Sequence, residues 1–333
     1  MADLKNRTSE NMELERLTAA AKAGDPYAQN ELGLRYHLGN GVSQDLTEAA
    51  AWYRKSAEQE LSIPQYNLGL MYREGFGVEQ NYKTAFDWIT KAAHQGLANA
   101  QYDVGLMHEF GHGTPQDDAQ AVQWLTRAAE QGMLEAQNHL GVRYSEGRGV
   151  PKDDAKALLW TKKAAERGLM EAQHNLALMY LDGIGEEQDD EKAAFWSNTA
   201  AQQGHEGAIY NVGHMYLKGR GMPQDTSMAM AAFRILAEKG NVLCQYNLGV
   251  LYEQLDTLKD DAQALFWYEK AAVQGYADAQ ANLALMYIKG NSVPKDYSVA
   301  AEYLSKAAEQ GHAGAQHNLK MIVQKIQGQG KLH

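Results

Sequence analysis

The string His108-Glu109-Phe110-Gly111-His112 is the segment of this sequence that most directly suggests chemistry. It has the H-E-x-x-H spacing with which a helix presents two zinc ligands on one face, while the glutamate activates a water molecule. That chemistry requires one helix to continue through both histidines. Pro115 and Asp118 stand where the extended form of the motif would place glycine and histidine. Zinc-dependent hydrolysis is therefore an alternative and not the expected function.

A second string, Ser292-Val293-Pro294-Lys295, has the S-x-x-K spacing of the nucleophile in penicillin-recognising enzymes. Those enzymes also carry S-D-N and K-T-G strings, and neither follows here. The segment aligns with Gly149-Val150-Pro151-Lys152, so we interpret it as a variant turn. Cys244 is the one cysteine, which permits no intramolecular disulfide, and we interpret it as a small packed residue. The sequence predicts no catalytic residue, no metal and no cofactor.

A Leu-Gly-x-x-Tyr-like unit returns along the chain every 36 residues, except for a last step of 35. Such a period indicates stacked structural units in place of one globular core. The small residues of the unit are Gly33, Gly69, Gly105, Gly141, Ala177, Gly213, Gly249 and Ala284. Glycines that close each unit, with Glu60 as the exception, keep the same period. They predict eight units over residues 25–60, 61–96, 97–132, 133–168, 169–204, 205–240, 241–275 and 276–311.

Each unit is predicted to be an antiparallel pair of helices, A and B. In the second unit Leu68 and Tyr72 lie four residues apart on one stripe of helix A. Gly69 lies beside them, and because glycine in a helix costs about 1 kcal/mol relative to alanine, its return indicates that another helix passes close by. Helix A ends in a Gly-x-Gly turn such as Gly75/Gly77. The predicted N-caps of helix B are Asp45, Asp117, Asp153, Asp189, Asp225, Asp260 and Asp296.

Residues outside the eight units are predicted to cap the array. Residues 1–24 are expected to form an N-terminal capping helix, and residues 312–333 a C-terminal capping helix followed by a frayed tail from Gly328. The predicted fold class is therefore all-α, a solenoid of eight helix-turn-helix repeats between two helical caps.

The strings Asn67-Leu68-Gly69-Leu70-Met71-Tyr72, Gly75-Phe76-Gly77-Val78 and Lys91-Ala92-Ala93 resemble the Sel-one-like repeat (SLR) family, a relative of the tetratricopeptide repeats. The resemblance covers almost the whole chain. It implies a right-handed superhelix whose A helices line a concave face, and adaptor roles in protein assembly. Two departures are His108, which replaces the tyrosine in unit three, and Leu255-Asp256-Thr257-Leu258, which replaces the Gly-x-Gly turn in unit seven.

Charge and hydropathy argue against two classes of partner, nucleic acids and membranes. The formal net charge is −11 at pH 7, which argues against binding to nucleic acid, because that requires a basic face. No stretch has the length of a membrane helix, and the first ten residues lack an apolar signal core. As written, the sequence is expected to be cytoplasmic, without membrane insertion. A secreted protein whose signal had been removed would look the same.

Two rows of helix A residues are the predicted binding site. By analogy with tetratricopeptide relatives, the position two before the small residue reaches the concave face, where an amide can donate to and accept from a peptide backbone. The row at that position contains Asn67, Asn175, Asn211, Asn247 and Asn282. The adjacent row contains Tyr66, Tyr102, Tyr210 and Tyr246, and tyrosines are common interface anchors. The alternative is that the asparagines brace neighbouring A helices.

The same analogy places mostly acidic residues near the groove, so the predicted ligand is a basic or neutral extended protein segment. The expected function is a non-enzymatic scaffold or adaptor that binds this segment in its concave groove. Two alternatives stay open: a hydrolase using zinc at His108–His112 or serine chemistry at Ser292, and a purely structural, self-assembling module.

Overall fold

The computed structural model describes residues 2–255 and 259–329, with side chains described over 12–255 and 259–326. These residues form eighteen α-helices and no β-strand. The helices are α1 (Ala2–Lys22), α2 (Pro26–Leu38), α3 (Leu46–Ala57), α4 (Ser62–Glu74), α5 (Tyr82–His94), α6 (Ala98–Phe110), α7 (Asp118–Glu130), α8 (Leu134–Glu146), α9 (Asp154–Glu166), α10 (Met170–Asp182), α11 (Asp190–Gln202), α12 (Glu206–Lys218), α13 (Thr226–Glu238), α14 (Val242–Gln254), α15 (Asp261–Val273), α16 (Ala277–Lys289), α17 (Tyr297–Glu309) and α18 (Ala313–Gln329).

The even-numbered helices α2 to α16 are the A helices, and the odd-numbered helices α3 to α17 are the B helices. The chain forms two compact units, of which unit 1 runs to Met179 and includes Gly183–Glu187. Unit 2 contains Tyr180–Asp182 and the residues from Gln188 onward. In unit 1 each helix from α1 to α8 packs on the next, and in unit 2 each helix from α11 to α17 does so. The prediction of an all-α array of helix pairs is confirmed.

Close packing between helices A and B explains the periodic small residue. A Cβ atom placed on Gly69 would lie 2.5 Å from Cγ1 of Ile89 on the B helix of the same repeat. On Gly249 it would lie 2.5 Å from a ring carbon of Tyr268. Alanine occupies the same position in two repeats, and Ala177 and Ala284 are fully buried. The glycines therefore let the two helices of a repeat approach, as the sequence predicted.

The Gly-x-Gly turn has two separate roles. Gly75 ends helix α4 in the left-handed conformation with φ 74°, and its N–H donates to the carbonyl of Met71. Gly77 is also left-handed, and a side chain there would overlap the carbonyl of Leu46 at the start of the preceding B helix. The first glycine thus stops helix A, while the second lets the turn contact the previous repeat.

The predicted aspartate N-caps are all present. Asp45 accepts hydrogen bonds from the N–H groups of Thr47 and Glu48, both at 3.0 Å. The other six predicted aspartates cap their B helices through the same acceptor oxygen, and Asn81 caps α5 in the second repeat. The start of each B helix is therefore fixed by one polar side chain.

A ladder of glutamine pairs, each with a buried glutamine on the A helix and an exposed one at the end of the B helix, connects successive repeats. Nε2 of Gln65 donates to the carbonyl of Ala57 at 3.2 Å, and its Oε1 accepts from Nε2 of Gln95 at 2.8 Å. The ladder therefore joins the end of one B helix to the next A helix and to the end of the next B helix. The same amide pairs are Gln29/Gln59, Gln101/Gln131, Gln245/Gln274 and Gln280/Gln310.

The ends of the array differ in detail from the expectations. Helix α1 packs on α2, and helix α18 packs on α17. Gly328 and Gln329 belong to helix α18, and residues 330–333 of the predicted frayed tail lie outside the described residues. In the seventh repeat Leu255 follows α14 in extended conformation, and residues 256–258 of the irregular turn also lie outside the described residues.

None of the helices over 2–255 and 259–329 has the length and apolar composition that crossing a membrane requires.

Candidate binding face of the A helices

The H-E-x-x-H string does not lie on one helix. Helix α6 ends at Phe110, and Gly111 follows in left-handed conformation with φ 69°. His112 therefore lies in the turn, where its ring packs against Tyr82 at a centroid distance of 5.2 Å. The predicted helix end is confirmed. Over the described residues, no group of three or more histidine, cysteine, aspartate or glutamate side chains is arranged to hold a metal ion.

The glutamate of the string belongs to a buried charge network. Glu109 is 6% exposed, and its carboxylate contacts the guanidinium of Arg143, which is 2% exposed. Nε2 of His139 lies 2.9 Å from the other carboxylate oxygen. Arg143 and His139 both come from α8, so Glu109 joins two successive A helices. The carboxylate of Glu109 therefore stabilises the contact between repeats three and four.

Ser292 and Cys244 lie in a turn and in the core, respectively. Ser292 is exposed in the turn after α16, with a left-handed φ of 57°, at the position that the second turn glycine holds in other repeats. Cys244 is buried in the core around Phe233 and Leu248. Burial raises the pKa of its thiol to about 12, with a smaller contribution from Glu206, so the thiol is protonated at neutral pH.

The asparagine row is half-buried in all five repeats, and part of it braces the solenoid. Nδ2 of Asn67 donates to Oδ1 of Asn30 at 3.3 Å, and Nδ2 of Asn175 donates to Oδ1 of Asn138 at 3.1 Å. Each of these bonds joins two successive A helices. Nδ2 of Asn282 donates to the hydroxyl of Tyr268 at 3.2 Å. Three of the five amides thus donate within the protein.

The other two asparagines, both in unit 2, differ from these three. Asn211 lines a cleft of about 160 Å³ together with His214 and Lys218. The Nδ2 atom of Asn247 is buried and has no hydrogen-bond partner. Within the described residues, these are the two positions of the row whose side-chain amides make no hydrogen bond to the protein.

The tyrosine row is half-buried as well, and its members have different surroundings. The hydroxyl of Tyr66 donates to Oδ2 of Asp103 at 2.9 Å. The ring of Tyr210 packs on His214, with centroids 4.5 Å apart. Tyr246 packs against Tyr276. Tyr102, in contrast, lines an open cleft on the A-helix face of unit 1.

We call this site the Tyr102 cleft. It has a volume of about 310 Å³ and is lined by Tyr102, Glu135, Asn138, His139, Val142, Leu169 and Glu171. Helix α6 provides the tyrosine and α8 provides four of the other residues, from Glu135 to Val142. Leu169 and Glu171 come from the N-cap and first turn of α10. Three successive repeats therefore build one cleft.

The electrostatics of the Tyr102 cleft are set by its carboxylates. Burial raises the pKa of Tyr102, and the negative charge of Glu135 raises it further. The pKa of His139 is lowered, mainly by burial. The negative charge of Glu109 raises this pKa, and the positive charge of Arg143 lowers it. At neutral pH the tyrosine is protonated and the imidazole is mainly neutral. Glu135 and Glu171 are exposed and have no ion-pair partner among the described residues, so the cleft is acidic.

The structural repeats agree with a comparison to known protein families. A family model described as Sel1 repeat matches residues 26–61, 65–97, 98–133, 134–169, 171–205, 207–241, 242–276 and 277–312. The chain belongs to the Sel1 repeat family. The matches follow one another along the chain, and each spans one B helix and all or most of the A helix before it.

Solved Sel1 repeat structures share this architecture. A crystal structure of a protective antigen of uropathogenic Escherichia coli strains, described as displaying an SLR fold, is 41% identical with a TM-score of 0.88. The alignment covers 94% of this chain and 67% of that one. A Sel1 repeat protein from Oxalobacter formigenes is 36% identical with a TM-score of 0.72, over 92% of this chain and 89% of the other.

A curated relative matches over a short segment. The secretory immunoglobulin A-binding protein EsiB of Escherichia coli O6:H1 (strain CFT073) is 46% identical over 46 residues. That segment is 14% of this chain and 9% of EsiB. The match spans little more than one Sel1 repeat.

Proposed function

We propose that this Sel1 repeat protein is a non-enzymatic scaffold that binds an extended segment of a partner protein on the face formed by its A helices. The observation that carries the proposal is the Tyr102 cleft, because it opens on that face and combines a tyrosine ring, apolar walls and hydrogen-bonding groups. Such a mixture is typical of sites that bind a side chain and orient it with a few polar groups.

The contacts of the asparagine row assign different roles to its members under this proposal. Asn67, Asn175 and Asn282 donate within the protein and brace it. Asn211 lines an open cleft with an amide to spare, so it would hydrogen-bond the backbone of the partner segment in unit 2. Nδ2 of Asn247 is buried, so this side chain would instead accept a backbone N–H through its oxygen. Tyr102 would supply the aromatic anchor in unit 1, while Tyr66, Tyr210 and Tyr246 would support the A helices that carry them.

Several observations support a binding role over an enzymatic one. The zinc-like string is divided between a helix end and a turn, its glutamate pairs with Arg143, and Ser292 lies in an exposed turn. EsiB is named for binding an immunoglobulin, which is a protein–protein interaction. The cytoplasmic location and the absence of nucleic-acid binding remain predictions from the sequence.

The proposal is tested by selecting 12-residue peptides from a displayed random library on the purified protein and measuring their affinities by fluorescence anisotropy. Two backbone hydrogen bonds contribute about 1–3 kcal/mol together, so Asn211→Ala with Asn247→Ala should weaken binding about five- to 150-fold. Asn40→Ala with Asn198→Ala is the matched control, because Asn40 is in a turn and Asn198 is on a B helix.

The selected peptides should bind the control double variant as tightly as the unchanged protein. Unchanged affinity in the Asn211/Asn247 variant, together with a lower thermal midpoint, would show that these residues brace the array. That result would remove the backbone contacts from the proposal. The proposal that binding occurs on the A-helix face would be wrong if the selected peptides bound the Tyr102→Ala variant and both asparagine variants as tightly as the unchanged protein.

A further inference from the structure

We infer that the Tyr102 cleft binds an arginine side chain of the partner segment. The inference rests on the proposed function and identifies the residue type that this cleft recognises. It starts from the shape of the site. The cleft of about 310 Å³ is open to solvent on one side and is walled by Tyr102, Val142 and Leu169. A long side chain with an apolar stem and a polar head matches such walls, because the stem can lie on apolar surface while the head stays near water.

The charge of the cleft selects a cation. Glu135 and Glu171 lie at its rim, 36 residues apart in equivalent positions of successive repeats. Neither forms an ion pair with any side chain that the structure describes. The residues that line the cleft include no lysine or arginine, and Arg143, whose Nη2 lies 3.2 Å from Nε2 of His139, is buried and paired with Glu109. An anionic ligand would therefore meet uncompensated carboxylates, whereas a cation would satisfy them.

Helix electrostatics alone explain only part of this arrangement. Glu135 and Glu171 stand in the first turns of α8 and α10, where a carboxylate interacts favourably with the positive end of the helix dipole. That preference acts separately on each helix. It requires neither a common cleft for the two carboxylates nor an aromatic ring in that cleft. A bound cation would explain why two carboxylates and a tyrosine ring line the same cleft.

Arginine fits better than lysine. Its planar guanidinium can stack on the ring of Tyr102 while its N–H groups donate to more than one acceptor. The available acceptors are the carboxylates of Glu135 and Glu171 and the side-chain oxygen of Asn138, although the last already accepts from Asn175. His139 is mainly neutral at pH 7, so its ring packs beside Tyr102 without repelling the guanidinium.

The test uses two synthetic peptides, Ac-Gly-Ser-Arg-Ser-Gly-NH₂ and the same peptide with citrulline in place of arginine. Citrulline keeps the shape of the side chain and removes its charge. Binding is followed by NMR of the labelled methyl groups of Val142 and Leu169, which line the cleft. Because charge-assisted hydrogen bonds exceed neutral ones by roughly a factor of two in strength, we expect the arginine peptide to bind at least about tenfold more tightly.

Two charge-neutralising variants complete the experiment. Glu135→Gln with Glu171→Gln should abolish the preference for arginine over citrulline. Glu130→Gln with Glu166→Gln removes the same net charge at the ends of B helices α7 and α9, and should keep the preference. The preference should also fall when salt is raised from 0.05 to about 0.5 M, because exposed charges are screened.

Three results would overturn the inference: equal binding of the two peptides, shifts confined to methyl groups outside the cleft, or a preference that survives in the Glu135/Glu171 variant. Each can occur while library-selected peptides still bind the A-helix face and still require Asn211 and Asn247. In that case the arginine site fails and the proposed function stands. Selected peptides that ignore the A-helix face altogether would reject both.

Discussion

The carboxylate of Glu109 and the guanidinium of Arg143 form a buried ion pair between helices α6 and α8. Glu109 is the residue that a zinc hydrolase would use to activate water, and here it joins the A helices of repeats three and four. Repeats five and six hold apolar residues at both positions. Met179 and Met215 correspond to Arg143, and Leu181 and Leu217 correspond to Glu109.

The pair predicts a strongly non-additive mutant cycle. Glu109→Leu leaves the buried guanidinium with only its longer contact to Asp118 at 3.8 Å, and Arg143→Met leaves the buried carboxylate with only His139. Each single change should therefore cost about 3–5 kcal/mol of unfolding free energy. The double variant restores the combination found in repeats five and six and should lose much less than either single variant. Urea unfolding of the four proteins measures this. A double variant as unstable as the sum of the two single variants would contradict the ion-pair assignment.

The close approach of helices A and B predicts that two glycines respond differently to alanine. A methyl group on Gly141 would overlap Oγ1 of Thr161, which is buried, and would lie 3.1 Å from the carbonyl oxygen of Ala157. On Gly105 the nearest atom is a side-chain carbon of Leu125 at 3.1 Å, which can move.

Gly141→Ala is therefore expected to lower the unfolding free energy by about 1–3 kcal/mol. Gly105→Ala should stay within about 1 kcal/mol of the unchanged protein, since the helix propensity of alanine offsets the tighter contact. Thermal or urea denaturation of both variants measures these changes in unfolding free energy. Equal midpoints for the two variants would show that the distance to the B helix does not control the choice of glycine.

Much of the fold follows from the sequence because its signals are local. The spacing of Leu68 and Tyr72, the glycine at Gly75 and the N-cap at Asp45 each specify a helix or its end within a few residues. The 36-residue period then repeats that information. The period alone places Gly111 in a turn, and the sequence therefore already argues against a zinc site at this string.

The candidate site was less predictable because its contacts join residues about 30 to 37 positions apart. The sequence gives Asn67 and Asn211 the same position in the repeat, yet Asn67 donates to Asn30, while Asn211 lines a cleft. Which amide is satisfied depends on the residue that the neighbouring A helix places opposite it. The glutamine ladder is formed in the same way, because Gln65 and Gln95 are 30 residues apart and pair only in the folded array.

A gap in the glutamine ladder predicts a stabilising substitution. Gln137 is 5% exposed, and its Nε2 donates to the carbonyl of Ala129, but its Oε1 has no hydrogen-bond partner. In the equivalent place Gln274 donates to both Gln245 and the carbonyl of Gly240. The fourth repeat has Arg167 there, and Arg167 donates to the carbonyl of Gly132 instead.

Arg167→Gln should therefore complete the ladder and raise the unfolding free energy by about 0.5–1.5 kcal/mol, the net contribution of one hydrogen bond. Arg167→Met removes the arginine without supplying a donor and serves as the control, which should give no such gain. The reverse change, Gln131→Arg, should cost about 1–3 kcal/mol because it deprives Gln101 of its partner. If Arg167→Gln and Arg167→Met have the same stability, the unpartnered oxygen of Gln137 does not limit stability.

His214 predicts a pH-dependent loss of stability. Its ring packs between Tyr210 and Phe233, and its buried Nε2 has no hydrogen-bond partner. Burial lowers the pKa of His214 below its usual value of 6.5, and the charge of Lys218 lowers it further. The unfolded chain therefore takes up a proton at a higher pH than the folded protein does. The titration of His214 therefore contributes nothing well above pH 6.5, and it destabilises the protein progressively as the pH falls from 6.5 through the folded-state pKa.

Most other repeats hold leucine at this position, for example Leu70, Leu106 and Leu178, so His214→Leu is a compatible replacement. We expect it to add about 1 kcal/mol at pH 7.5 by removing a buried unpartnered polar atom. The advantage should grow at pH 5.5, because only the unchanged protein must then protonate a buried imidazole. Guanidinium unfolding at the two pH values measures the difference, and Lys218→Met should reduce the pH dependence partially. A His214→Leu advantage that is the same at both pH values would show that His214 does not titrate differently in the folded and unfolded states.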